Sequence, residues 1–217
     1  QNLSSKHEIV RELLTTFNTL LVQQRYIFDK KIDSNSTEEG LEAGVGSGTG
    51  SAPVKVLTTM SGLGIANALY GLRNLSSNYR EVRETLELVT PYLQVDKSGV
   101  QPVSKGVNYF KSPHHISNAI YGLRKMSSRF DETRGILAAL TGVINHNQNN
   151  TAAGFTNAGF IMKPQEVGNL IYGLQSLSSD DFEVKNAIRA ITPIISTCTA
   201  PMSGTNLAGM LYGMRLL

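Results

Sequence analysis

Residues 112–144 read SPHHISNAIYGLRKMSSRFDETRGILAALTGVI, and this stretch decides the fold because the chain contains it more than once. Residues 61–93 read SGLGIANALYGLRNLSSNYREVRETLELVTPYL, and residues 163–195 read KPQEVGNLIYGLQSLSSDDFEVKNAIRAITPII. The tyrosines Tyr70, Tyr121 and Tyr172 are spaced by 51 residues, and Tyr212 follows after 40, inside SGTNLAGMLYGMRLL. Upstream, LSSKHEIVRELLTTFNTLL repeats the second half of the same unit. Self-similarity at a fixed period is the mark of stacked supersecondary units, each unable to bury its apolar face alone.

Each unit divides into two helices. In the first, Ile65, Leu69, Leu72 and Leu75, matched by Ile116, Ile120, Leu123 and Met126, trace one helical face. In the second, Val82, Leu86, Val89 and Leu93, matched by Val184, Ile188, Ile191 and Ile195, do the same. Between them stand the pairs Ser76-Ser77, Ser127-Ser128 and Ser178-Ser179, followed by Glu81, Asp131 and Glu183, which predicts a capping box opening the second helix. So short a break predicts a back-to-back helix hairpin. The expected fold is therefore all-α, an α-solenoid of tandem antiparallel two-helix repeats with long inter-repeat loops.

The 217 residues form a single array: a half unit over 3–28, a Gly/Ser-rich insertion over 33–53, units over 61–93, 112–144 and 163–195, and a half unit over 203–217. The insertion is expected to be a flexible, solvated loop. Its alternating glycines lack the Gly-Lys-Ser/Thr of a nucleotide loop. The inter-unit stretches 94–111 and 145–162 are long enough to carry function. Neither end supplies a polar cap, so the array is expected to be part of a longer one or to dock end to end, the first being favoured.

Certain residues recur for structural reasons. Gly71, Gly122, Gly173 and Gly213 lie inside the first helices, where a glycine is costly unless a neighbouring helix comes close. Ala66, Ser117, Gly168 and Ala208 are uniformly small, to the same expected end. Tyr70, Tyr121, Tyr172 and Tyr212 pack between repeats or else offer a stacking platform for bases. Asn67, Asn118 and Asn169 are expected to bond neighbouring backbone or form an inter-repeat ladder, with a ligand-reading role as the alternative. Pro91 and Pro193 should kink or shorten the second helix.

The search for chemistry finds no catalytic pattern. Charged residues make up 17% of the chain and the net charge is +3, which permits an anionic partner without demanding one. Cys198 is the single cysteine, and no HExxH, CxxC or Gly-x-Ser-x-Gly pattern occurs. The adjacent His114 and His115 project in different directions, and Glu81, Glu84 and Glu87 are expected on a solvated face. Asn-x-Ser/Thr triplets occur at Asn2, Asn35, Asn74 and Asn149, and those at Asn2 and Asn74, which fall in the repeat hinge, are expected to be incidental. No stretch is apolar and long enough for a membrane span. The expectation is a protein that is not an enzyme and needs no metal or cofactor.

The pattern ISNAIYGLRKMSS, with its acidic residue and leucine-rich second helix, resembles the octotricopeptide-type repeats of algal and protist organellar proteins, relatives of which accompany RAP domains. The match covers residues 65–75, 116–126, 167–177 and, less well, 207–217. It departs in its 51-residue spacing and in Tyr-Gly where Trp-Ala is commoner. The resemblance implies RNA binding or scaffolding in a plastid or mitochondrion. The leading expectation is a non-catalytic scaffold that binds other protein subunits of a larger assembly by shape. The alternative is a single-stranded RNA reader. Candidate partner-facing or RNA-facing residues are His114, His115, Gln165, Glu166, Arg73 and Arg124, although Gln175 interrupts the basic series that Arg215 resumes.

Overall fold

The computed structural model describes residues 8–35, 61–93, 110, 112–149 and 161–217. Among these residues, all regular structure is helical: α1 (Glu8–Asn35), α2 (Gly62–Gly71), α3 (Arg80–Val89), α4 (Pro113–Gly122), α5 (Asp131–Asn149), α6 (Pro164–Gly173), α7 (Phe182–Ile195) and α8 (Gly204–Gly213). The expected insertion therefore begins later than its composition suggested, since α1 runs to Asn35; residues 36–53 of it lie outside the described residues. Likewise α5 extends to Asn149, taking up the start of the stretch expected to be loop.

The helices contact one another in two rows. Helix α2 touches α4, α4 touches α6 and α6 touches α8, while α1 touches α3, α3 touches α5 and α5 touches α7. The closest backbone approaches thus run between helices one unit apart. The reason lies in side-chain size. Ile65, Leu69, Leu86, Ile116, Ile120 and Leu137, contributed by helices of both rows, are all buried in one cluster, and large apolar side chains space helix axes apart.

Within the first row, glycine removes that spacer. A Cβ added to Gly122 would lie 2.2 Å from the Leu69 carbonyl oxygen, one on Gly173 2.3 Å from that of Ile120, and one on Gly213 2.2 Å from that of Ile171. The small positions act beside them: Ala66 and Ser117 are fully buried, and Ser117 Oγ donates to the Glu166 carbonyl at 2.9 Å.

The serine pairs act differently from the capping role expected of them. The residues that cap α3 and α7, Tyr79 and Asp181, make no side-chain capping bond. The first serine instead closes a small turn, Ser76 Oγ accepting from Asn78 N at 3.2 Å and Ser178 Oγ from Asp180 N at 3.2 Å. The second bonds the next unit: Ser77 Oγ accepts from Ser127 N at 2.8 Å and Ser128 Oγ from Ser178 N at 3.0 Å. The second helix opens three residues beyond the pair, out of reach of a serine hydroxyl. Arginine reaches back instead, with Arg83 Nη1 donating to Ser77 O at 2.8 Å and Arg134 Nη1 to Ser128 O at 2.7 Å.

The second row is joined by charge. Arg11 pairs with Glu81 at 2.6 Å, Arg83 with Glu132 at 3.5 Å and Arg134 with Glu183 at 4.0 Å, always from one unit to the next. Glu81 is therefore not on a solvated face; its side chain is 16% exposed, and the Arg11 hydrogen bond holds its carboxyl below the ordinary carboxylate range. Glu84 takes an exposed bond from Arg80, and Glu87 is exposed. In α7, Val184 and Ile191 are buried as expected, but Ile188 and Ile195 are only half-buried. Among the described residues α7 has a second-row neighbour on one side only. Pro91 falls in the 3-10 turn Thr90–Leu93 that ends α3 early, whereas α7 continues through Pro193.

Candidate partner-binding groove

Tyrosines from all four first-row helices form one continuous stack. Ring centroids of Tyr70 and Tyr121 are 5.7 Å apart, of Tyr121 and Tyr172 5.9 Å, and of Tyr172 and Tyr212 5.6 Å. A base inserted between two rings would need roughly 7 Å, twice the stacking rise of a nucleic-acid strand. The stack is thus closed to intercalation along its length. Guanidinium groups lie over its rings: Arg73 is 4.3 Å from the Tyr70 centroid, Arg124 4.9 Å from Tyr121 and Arg215 4.1 Å from Tyr212.

Of the residues expected to face a partner, Arg124 is the most committed within the molecule. Its Nε donates to the Arg73 carbonyl at 2.8 Å, and its other nitrogens bond Asn74 Oδ1 and the Tyr121 hydroxyl. Arg73 donates to the Tyr70 carbonyl at 3.1 Å. Gln175, which interrupts the basic series, is buried and its Oε1 lies 3.4 Å from Arg215 Nη1. These side chains tie successive units together, so Arg73, Arg124 and Arg215 are not a row of unengaged cations.

The two histidines diverge as their adjacency on a helix requires. His114 is exposed, with Nε2 3.0 Å from Asn118 Nδ2 and Nδ1 3.8 Å from Glu166 Oε1. His115 turns inward and meets the Phe110 ring in a T-shaped contact, centroids 6.3 Å apart. Glu166 is buried, and its Oε2 accepts from Lys163 N at 2.8 Å. Gln165 is exposed. The asparagines also divide: Asn67 is exposed, Asn118 is buried against His114, and Asn169 is half-buried.

Burial pushes His115 below the ordinary histidine range, with the charge of His114 adding to the effect. The folded state therefore disfavours the imidazolium, and the unfolded chain binds that proton first. The stability contributed by the neutral ring is complete above about pH 6.5, and is lost as pH falls from there toward the depressed folded value. Urea midpoints should decline from about pH 7 to about pH 5.5, and His115→Phe should flatten that decline. An unchanged slope in the variant would assign the pH dependence to other groups.

Gln165, Asn169 and Tyr172 of α6, together with Tyr121 and Arg124 and with Asn206 of α8, line an open groove of about 520 Å³ across the first row. Its lining is almost wholly neutral and rich in hydroxyl and amide groups, with Arg124 the one full charge among its lining residues. Sequence reasoning marked Gln165 as partner-facing and Asn169 as a repeat residue, but the groove itself follows from α8 lying beside α6. Among the described residues there is no group of three metal-ligating side chains, and no helix is long and apolar enough to cross a membrane. No protein-family model, no curated protein and no solved structure matches this chain.

Proposed function

We propose that this chain is an α-solenoid of stacked two-helix units that serves as a non-catalytic scaffold, and that the groove across α4, α6 and α8 holds an extended stretch of a partner polypeptide. The neutral, amide-lined groove is the observation that carries this reading. A peptide backbone presents alternating donors and acceptors, and a carboxamide such as Asn169 or Gln165 offers both at once. RNA asks for something else, a run of cations along its phosphates and open aromatic faces for its bases. Arg124 is engaged by Arg73, Asn74 and Tyr121, and the facing sides of the groove tyrosines Tyr121 and Tyr172 are occupied by one another. Membership of a larger organellar assembly is what the repeat resemblance adds.

The test compares the two ligand classes on the same protein. Panning a displayed library of unstructured peptides should return sequences that bind in the micromolar range, and Asn169→Ala should weaken them about tenfold, or about 1.4 kcal/mol. A random single-stranded RNA pool, followed by fluorescence anisotropy at about 50 and about 200 mM salt, should show no binding with a steep salt slope. Tight, salt-dependent RNA binding without peptide selection would overturn the reading.

A further inference from the structure

Every contact in the first row is the same contact. The carbonyl two residues before the glycine of one helix seats on the glycine of the next: Leu69 on Gly122, Ile120 on Gly173 and Ile171 on Gly213. The tyrosine beside each glycine stacks on the tyrosine of its neighbour. Among the described residues, one half of this contact is left unmatched on each of two helices. Leu211 holds the place in α8 that Leu69, Ile120 and Ile171 hold in their helices, where all three are buried; Leu211 is 68% exposed, and Tyr212 beside it 49%. Gly71 holds the receiving place in α2, is exposed, and would have no described atom within 4 Å of an added Cβ. No described contact in the chain requires a glycine there, although it costs about 1 kcal/mol against alanine inside a helix.

The second row repeats the asymmetry. In α3, Glu81 and Thr85 face α1, Glu81 through Arg11 and Thr85 through a 2.8 Å bond to Asn18 Oδ1. The repeat places Ile9 and Leu13 at the corresponding positions of α1, and they are 77% and 63% exposed. Among the described residues, unmatched receiving positions therefore lie on both α1 and α2, and an unmatched projecting ridge lies on α8.

We propose that these faces bind a second copy of this chain, head to tail, with α8 of one molecule lying on α2 of the next. Leu211 then seats on Gly71, and Tyr212 extends the stack to Tyr70. In the second row, α7 of the first molecule covers Ile9 and Leu13 of the second. The second copy is the occupant because the two faces are the complementary halves of an interface this chain already forms three times within itself. A contact of this kind is heterologous, so each added molecule presents the same two faces again. Ile9 stands where Glu81, Glu132 and Glu183 stand, so the junction lacks the ion pair that joins successive units and should withstand high salt.

Sedimentation velocity of the full chain, from about 5 to about 200 μM, reads the association directly. The weight-average mass should rise with concentration past twice the 23.6 kDa monomer. Gly71→Leu fills the receiving slot and Leu211→Glu spoils the projecting ridge; neither position is packed within the described chain, so helix content by circular dichroism should be unchanged in both. Each variant alone should stay monomeric, and their equimolar mixture should form a 1:1 dimer and nothing larger, because one intact face remains on each. A wild-type chain that stays monomeric at the top concentration overturns the proposal. So does assembly of either variant like wild type, or a mixture of the two that does not dimerise.

Discussion

Gly173→Ala should destabilise the protein by about 3 kcal/mol or more, although alanine is the better helix former by about 1 kcal/mol. The new methyl would sit 2.3 Å from the Ile120 carbonyl oxygen and 2.8 Å from Tyr121 N. Both are backbone atoms of α4, with no rotamer to escape into. Relief requires α6 to move off α4, which pulls apart the Tyr121–Tyr172 stack and the Ser117 bond to Glu166 O. Gly122→Ala and Gly213→Ala meet the same obstacle from Leu69 and Ile171. Gly71→Ala is the matched control, since its methyl would project into open space among the described residues. That variant should gain about 0.5–1 kcal/mol through its effect on the unfolded chain. Urea unfolding of the four alanine variants decides the matter: losses at three sites and a gain at the fourth are expected, and equal effects at Gly71 and Gly173 would remove close helix approach as the reason for these glycines.

That contrast also marks how far the sequence speaks. The Tyr-Gly dipeptides and the stripes Ile65-Leu69-Leu72-Leu75 and Val82-Leu86-Val89-Leu93 located the helices and most of the buried side chains, because helical periodicity and apolar burial are local properties. Which helix approaches which is not local. A serine pair before an acidic residue has the composition of a capping box, and only the three-residue gap to α3 shows that Ser77 bonds the next unit instead. Arg124 looked like a surface cation because its bonds to Arg73 O and Asn74 cross a distance of about fifty residues in sequence. The groove is legible only in part for the same reason: Gln165 and Asn169 stand in one helix, but Asn206 joins them from another.

Phe110→Ala should cost about 3–5 kcal/mol, the range for truncating a fully buried aromatic ring. Phe110 belongs to no helix and to no apolar stripe, and it falls in a stretch whose composition reads as an inter-unit loop. Even so, it is 1% exposed and part of the same buried cluster as Ile116, Leu140 and Ile144. Its ring makes a T-shaped contact with His115, and its carbonyl lies 3.4 Å from Asn147 Nδ2 near the end of α5. Ring and carbonyl together thus tie the start of α4 to the end of α5, beside Ile116, Leu140 and Ile144 of the same cluster. Truncation would leave a cavity and admit water to the His115 imidazole, removing the burial that holds its proton affinity down. Two readouts should therefore move together. Urea unfolding should show the loss of stability, and an NMR titration should show the His115 pKa rising toward the ordinary histidine value. Phe110→Leu, which keeps most of the volume, should show both effects at well under half the size. If Phe110→Ala cost under about 1 kcal/mol and left His115 where it was, the ring would be filling space without holding α4 to α5.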